Sequence, residues 1–268
     1  MSPKDLDALA ALTLSFTREA AALVAGAYRS NVRPDHKGPV DLVTEYDRRS
    51  EDLLRERLSK ATPYPITGEE GGGSGDPEGM RWYVDPIDGT TNFVHGHPFY
   101  CVSVGLLRGS EPILGVVVAP SLQIEWVGKC LLGSERAATR NGEPCAVSPT
   151  PSLIESLLAT GFPYDRASAD SDFDAFVTVK KRCRAVRRCG SAALDLCFVA
   201  DGTYDGYWER NLKSWDVAAG AAITLAAGGM LSDYSGKPVD VRSGELVATN
   251  GRIHASLTDE LKRIEVRA

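Results

Sequence analysis

Asp85 and Asp88 stand three residues apart in Trp82-Tyr83-Val84-Asp85-Pro86-Ile87-Asp88-Gly89-Thr90-Thr91-Asn92-Phe93, closing an apolar run just ahead of a glycine and two threonines. Carboxylates this close repel each other unless a cation neutralises them or one keeps its proton. Oxygen donors without a neighbouring Cys or His ligand set suit a hard cation, Mg²⁺ rather than Zn²⁺. His95-Gly96-His97 has no cysteine or carboxylate at ligand spacing and reads as a polar turn. Gly89 lets backbone approach a ligand closely, and a helix opening at Thr90 would aim free N–H groups at a phosphate beside the metal. The same residues also suit an Asx-type turn with a capped helix, so spacing alone leaves both readings standing.

Other acidic residues extend the first reading. Asp47 ends Val-Thr-Glu-Tyr-Asp, Glu69 and Glu70 follow a short apolar stretch, and Asp216 precedes an alanine-rich run that suits a buried helix. A solvated glutamate pair and an N-capping aspartate are the plain alternatives.

These residues need elements to carry them. Residues 2–26 read as an amphipathic helix with Leu6, Leu9, Leu12, Phe16, Ala20 and Leu23 on one face and Ser2 or Asp5 as its cap. Asn31 to Asp41 is rich in turn formers and charge and reads as an exposed loop. A second helix follows, with Asp47 near its start. Gly71-Gly72-Gly73-Ser74-Gly75 lacks the Gly-Lys-Ser/Thr of a phosphate cradle and reads as a flexible surface loop. Trp82-Tyr83-Val84 is a short buried strand, and Pro86, with no N–H, is expected to take the chain out of the sheet. Tyr100 to Val127 alternates β-branched stretches with turns, as an antiparallel meander does, with Gly-Ser-Glu-Pro at one hairpin. Beyond Pro149 helices alternate with short strands. One domain over 1–268 is expected, softly divided into an α+β part (1–145) and an α/β part (146–268), without internal repeats.

The chain has 268 residues and a net charge of −6, with no run of Lys or Arg to follow a nucleic-acid backbone. Its six cysteines form no C-x-x-C pair and read as reduced thiols. Asp5, Asp7, Arg18 and Glu19 interrupt the first helix, no basic segment precedes an apolar core, and no apolar run reaches the ~18 residues of a membrane span. A soluble, unexported, cytoplasmic protein with no membrane or nucleic-acid partner is the expectation.

Five segments together resemble the inositol monophosphatase family of Mg²⁺-dependent, lithium-sensitive phosphatases: Pro39 to Asp47, Gly68 to Glu70, Trp82 to Gly96, Gly190 to Cys197 and Trp215 to Ile223. They run in the family's order across nearly the whole chain. The resemblance implies a layered α/β sandwich (α+β or α/β in class) and a homodimer. It implies one Mg²⁺ on Glu69, Asp85 and the Ile87 carbonyl, a second on Asp85, Asp88 and Asp216, and a weaker third near Glu69. Thr90 with Asp47 would activate the attacking water, Glu69 would share in catalysis, and the water would attack phosphorus directly, without a covalent enzyme intermediate. Asp88, Gly89, Thr90, Thr91, Gly190, Ser191 and Ala192 would contact the substrate. Where the family commonly has a lysine three residues before the Pro of Pro-Val-Asp, this chain has His36, with Lys37 one position later.

The substrate implied is a small phosphorylated polyol, above all myo-inositol 1-phosphate. Thr90-Thr91-Asn92-Phe93 looks like the inositol version of the motif, and Glu209, seven residues before Asp216, matches the carboxylate that binds substrate hydroxyls in the family. Histidinol phosphate, fructose 1,6-bisphosphate and 3′-phosphoadenosine 5′-phosphate are the alternative substrates. A binding or regulatory protein with a dormant site is the alternative of another class.

Overall fold

The computed structural model of the chain describes every residue except 1, 31, 37–41, 74, 75, 77, 131–135, 163–169 and 266–268. Ser2 opens helix α1 (Pro3–Ala25) through a capping box in which its hydroxyl accepts the Asp5 amide and Asp5 accepts the Ser2 amide. The buried face of α1 carries Leu6, Leu9, Ala10, Thr13, Thr17, Ala20, Ala21 and Val24, whereas Leu12 is 48% exposed. Of the six residues expected on that stripe, Leu6, Leu9 and Ala20 are buried, Phe16 and Leu23 pack against the core partly buried, and only Leu12 points outward. Thr13 and Thr17 replace aliphatic residues in it because each hydroxyl donates to the carbonyl four residues back, at 2.8 Å in both cases, so no polar atom is buried unpaired. The helix over residues 4–25 is long and apolar enough to cross a membrane by length and composition alone, with a mean hydropathy of 1.4 over its most apolar window, a test that the core helix of a globular protein also passes. The inner face of this helix lies in the hydrophobic core.

A two-stranded ribbon, β1 (Asp35–His36) with β2 (Leu42–Val43), leads into α2 (Glu45–Ala61). A seven-stranded sheet follows in the order β3 (Ile66–Gly68), β4 (Met80–Asp88), β5 (Cys101–Arg108), β6 (Glu111–Ala119), β7 (Ile124–Cys130), β8 (Arg136–Arg140), β9 (Glu143–Pro144). Within this sheet, among the described residues, β3 and β4 pair in parallel and the rest is an antiparallel meander. Helix α3 (Thr90–Val94) sits between β4 and β5. The second sheet has five strands in the order β11 (Ala185–Arg187), β10 (Leu157–Thr160), β12 (Gly206–Arg210), β14 (Glu245–Thr249), β13 (Met230–Ser232). Its helices are α4 (Asp170–Lys180), α5 (Ala192–Ala200), α6 (Ser214–Ala226) and α7 (His254–Glu265).

The layers alternate. Helices α1 and α2 pack on one face of the large sheet; α5 and α6 lie between the sheets; α4 and α7 cover the outer face of the small sheet. Close packing of α6 on the large sheet rests on a row of glycines paired across three strands, Gly105↔Gly115↔Gly128. A Cβ at Gly115 would lie 2.1 Å from the Ala219 carbonyl oxygen, and one at Gly128 would lie 2.4 Å from the Ile223 Cα. Ala218 and Ala219 meet Gly105 and Gly115, and Ala222 and Ile223 meet Gly128, so α6 can lie against the strands.

Pro86 does not take the chain out of the sheet. Strand β4 pairs with β5 as far as Asp85↔Ser103, slips, and pairs again at Asp88↔Cys101, so one extra residue is accommodated in a bulge. The missing Pro86 N–H falls inside that irregularity, where no ladder bond is lost, and the Ile87 amide donates to Asp85 Oδ1 at 3.0 Å. The glycine loop after Glu70 is also more tightly held than its composition suggested. The Glu51 carboxylate accepts the Glu70 and Gly71 amides, each at 2.8 Å, and Arg55 holds that carboxylate at 2.7 Å. Ser74 and Gly75 lie outside the described residues, as do Lys37 and Pro39 to Asp41.

Candidate active site

The bulge in β4 brings Asp85 and Asp88 to the same pocket. In a regular strand residues three apart point to opposite faces, and the extra residue restores a shared side. Parallel pairing of β3 with β4 sets Glu69 beside them: the Glu69 amide donates to the Val84 carbonyl at 3.2 Å. Asp216, in the first turn of α6, arrives from the middle helical layer, and its Oδ2 accepts the Lys213 amide at 2.6 Å. Gly89, at φ +93°, turns the chain from β4 into α3. A Cβ there would stand 3.0 Å from the Phe99 carbonyl oxygen, a second reason for glycine.

Thr90 joins this pocket to α2. Its hydroxyl lies 3.0 Å from Asp47 Oδ1 and 2.9 Å from the Ile87 carbonyl oxygen, and one hydroxyl proton can serve only one of them at a time. Asp47 is fixed from its other oxygen. Oδ2 accepts the Thr44 amide at 2.7 Å and the Thr44 hydroxyl at 2.6 Å, the capping box of α2. Asp47 therefore caps a helix with one oxygen and meets Thr90 with the other.

One pocket is lined by Glu69, Asp85, Ile87, Asp88, Gly89, Thr90, Gly190, Ser191, Ala192, Glu209 and Asp216, all singled out in the sequence, together with Gly161, Phe162, Arg188 and Leu212, which were not. Asp47 stands behind Thr90 rather than in the lining, and Thr91 is half-buried just outside it. His36 is exposed on β1, apart from the lining. Arg188 and Gly161 carried no sequence signal of their own, although Arg188 stands two residues before the Gly-Ser-Ala-Ala motif. Glu51 was hidden by its ordinary helical setting, and only the fold shows it buttressing the segment that presents Glu69.

The electrostatics follow from burial and crowding. Desolvation pushes the Asp85 carboxyl well above the usual carboxylate range, and Glu69, Asp88, Asp216 and Asp47 add repulsion. Asp216 is raised well above that range by burial and then by Asp88. Burial lifts Asp88 to about 6, opposed by hydrogen bonds from Ser191 and the start of α5. Glu209 is lifted to about 7, again by burial, with the Tyr207 hydroxyl holding it down. Among the described residues, five carboxylates and one guanidinium line the pocket.

Among the described residues no three His, Cys, Asp or Glu side chains form a ready-made metal cage. The donor set nonetheless fits a hard cation: it is all oxygen, it is largely buried, and its members raise one another's proton affinity in the way a divalent ion would relieve.

The inositol monophosphatase family model matches residues 5–265. An inositol-1-monophosphatase of Synechocystis sp. is 41% identical over 264 residues, covering 97% of this chain and 91% of that protein. A protein named Nus factor SuhB from Pseudomonas aeruginosa is 38% identical over 230 residues, 83% of each chain. Among solved structures, an inositol monophosphatase from Anabaena (Nostoc) sp. superposes with a TM-score of 0.86 at 36% identity, covering 97% of both chains. The extragenic suppressor protein suhB from Bartonella henselae superposes with a TM-score of 0.87 at 34% identity, covering 95% of this chain and 98% of that one.

Proposed function

The chain belongs to the inositol monophosphatase family and is a phosphoric monoester hydrolase, and on that premise we propose that it hydrolyses myo-inositol 1-phosphate or a closely similar phosphorylated polyol with the help of Mg²⁺. The observation that carries this reading is the meeting of Glu69, Asp85, Asp88 and Asp216 in one pocket with the Thr90–Asp47 pair at its wall. Glu69, Asp85 and the Ile87 carbonyl would hold one Mg²⁺, and Asp85, Asp88 and Asp216 a second, with a weaker third near Glu69. Bound there, the ions would neutralise the carboxylates, bind the phosphoryl oxygens and make a water more acidic.

The chain's own groups do the rest. Thr90 Oγ1, held by Asp47, can accept a proton from the attacking water while its own hydrogen turns to Asp47 Oδ1. Water oxygen bonds to phosphorus as the bond from phosphorus to the inositol oxygen breaks, and no side chain forms a covalent intermediate. Backbone N–H groups of Gly89, Thr90 and Thr91 would meet the phosphate, and the start of α5, with Gly190, Ser191 and Ala192, borders the same pocket. Glu209 accepts hydrogen bonds from the polyol's hydroxyls.

A purely binding role with a dormant site has less support, since a dormant site has no need of so many mutually repelling acidic groups in one pocket. A cytoplasmic location and a homodimer belong to the same proposal, the first resting on the sequence pattern of the N-terminal helix and the second on the family alone. The deciding assay is phosphate release from inositol 1-phosphate, histidinol phosphate, fructose 1,6-bisphosphate and 3′-phosphoadenosine 5′-phosphate, with and without Mg²⁺. Fastest Mg²⁺-dependent release from inositol 1-phosphate is expected. Release from none of the four would favour the binding role.

A further inference from the structure

Glu209 and Tyr207 lie two apart on β12, so their side chains share a face, while Trp208 between them packs on the opposite side against the α4/α7 layer. The Tyr207 ring is fully buried among Leu196, Val217 and Ala218 of the middle helices and cannot swing away. Its hydroxyl donates to Glu209 Oε2 at 2.6 Å. A buried tyrosine hydroxyl needs an acceptor, but any backbone carbonyl would satisfy that need. The acceptor is instead Glu209, a carboxylate that reaches the pocket from the second sheet.

The other side of Glu209 is shaped by Gly161. Strand β10 pairs with β12 in parallel at Thr160↔Trp208, and the Thr160 hydroxyl donates to the Trp208 carbonyl at 2.7 Å, which pins the chain just before Gly161 against β12. A Cβ on Gly161 would lie 1.9 Å from Glu209 Oε2, so the carboxylate occupies the space that any other residue type would fill. Gly161 has no left-handed backbone angle to explain it. Electrostatic neighbours pull in other directions: Arg188 attracts Glu209, while Asp88 and Asp172 repel it. Without the tyrosine hydroxyl and the gap at Gly161 the carboxylate has other positions to take.

We propose that Tyr207 and Gly161 form a clamp that presets the Glu209 carboxylate, with Oε2 held and Oε1 left for the substrate, so that both are positioning residues for selection of a leaving group with neighbouring hydroxyls. This rests on the reading of Glu209 as the acceptor for those hydroxyls. The clamp acts through Glu209 alone and has no part in the phosphoryl chemistry. Gly161→Ala is informative because it displaces the carboxylate without removing it, and the group that must give is the far end of a flexible side chain rather than backbone.

The test measures kcat and KM for inositol 1-phosphate and for p-nitrophenyl phosphate, which has no neighbouring hydroxyls, in the full-length protein with Mg²⁺. Tyr207→Phe and Gly161→Ala should each raise KM for inositol 1-phosphate about tenfold, the scale of one hydrogen bond to a charged acceptor, and leave p-nitrophenyl phosphate within about twofold. In a Glu209→Gln background, which should show the same selective loss, neither substitution should add to it. Glu209→Gln selective while Tyr207→Phe and Gly161→Ala match the parent would overturn the clamp and leave the substrate assignment standing. Glu209→Gln weakening both esters equally would overturn the assignment of Glu209, and the clamp with it. If Tyr207→Phe folds poorly, Gly161→Ala decides alone, and equal loss on both esters there overturns the proposal.

Discussion

Ser191 donates its hydroxyl hydrogen to Asp88 Oδ2 at 2.6 Å, and the Ala193 amide donates to the same oxygen at 2.7 Å, so the start of α5 is fastened to the end of β4 across 103 residues of chain. The same hydroxyl accepts the Leu194 amide at 3.4 Å as the cap of α5. Ser191→Ala removes a cap and one of the bonds that favour the charged form of Asp88. The expected result is a loss of stability of about 1 kcal/mol, typical of a lost cap, together with a higher Mg²⁺ concentration for half-maximal activity. Thermal melting and a Mg²⁺ titration of phosphate release check both. An unchanged Mg²⁺ requirement would confine Ser191 to helix capping.

Asp88→Asn and Asp216→Asn each take a charged oxygen from the proposed second ion, and turnover should drop by about 10²-fold or more, as for loss of one main electrostatic stabiliser. Folding should survive, and the metal-free variants should melt higher than the parent because repulsion with Asp85 is relieved. Near-normal turnover of Asp88→Asn at ordinary Mg²⁺ would falsify the two-ion reading.

Lithium should inhibit, and uncompetitively with respect to substrate. Li⁺ is close to Mg²⁺ in size with half the charge, and at the Asp85, Asp88 and Asp216 position it would hold product phosphate in place after turnover. Initial rates at several substrate concentrations, with Na⁺ as control, measure this. Equal responses to Li⁺ and Na⁺ would count against that position as an ion site.

The raised carboxyls give the metal-free protein a definite pH dependence. Asp88 rises from 3.8 to about 6 and Glu209 from 4.5 to about 7, so the folded chain holds these protons more tightly than the unfolded chain. Their contribution to stability is complete below about pH 4 and is lost as pH climbs through 6 and 7. In chelator, the melting temperature should therefore fall between pH 5 and pH 8, and fall less in Asp88→Asn. Saturating Mg²⁺ should flatten the slope, because a bound cation stabilises the ionised form. A melting temperature that rises over this range in chelator would show that other groups dominate.

The sequence alone determined the local chemistry: Asp85 and Asp88 beside Gly89, a helix opening at Thr90, a helix opening near Asp47, the meander from Tyr100 onward. Each depends on neighbours within a few residues, on turn formers, caps and alternation, and so can be read along the chain. What tertiary structure decided was the outcome of contacts between distant segments. Strand β5 determined that Pro86 sits in a bulge and not at an exit from the sheet, since a bulge is defined by the partner's register. The burial of Thr13 and Thr17 in place of Leu12 was settled by how α1 meets the sheet, because a helix's apolar content constrains its rotation only to within a residue. Gly105, Gly115 and Gly128 look unrelated until three strands align them under α6. Glu51 behind Glu69, Ser191 on Asp88, and Gly161 with Tyr207 around Glu209 arise in the same way: a carboxylate's partners come from whichever elements the core packs against it, and the packing joins residues that nothing in their own neighbourhoods marks as a pair.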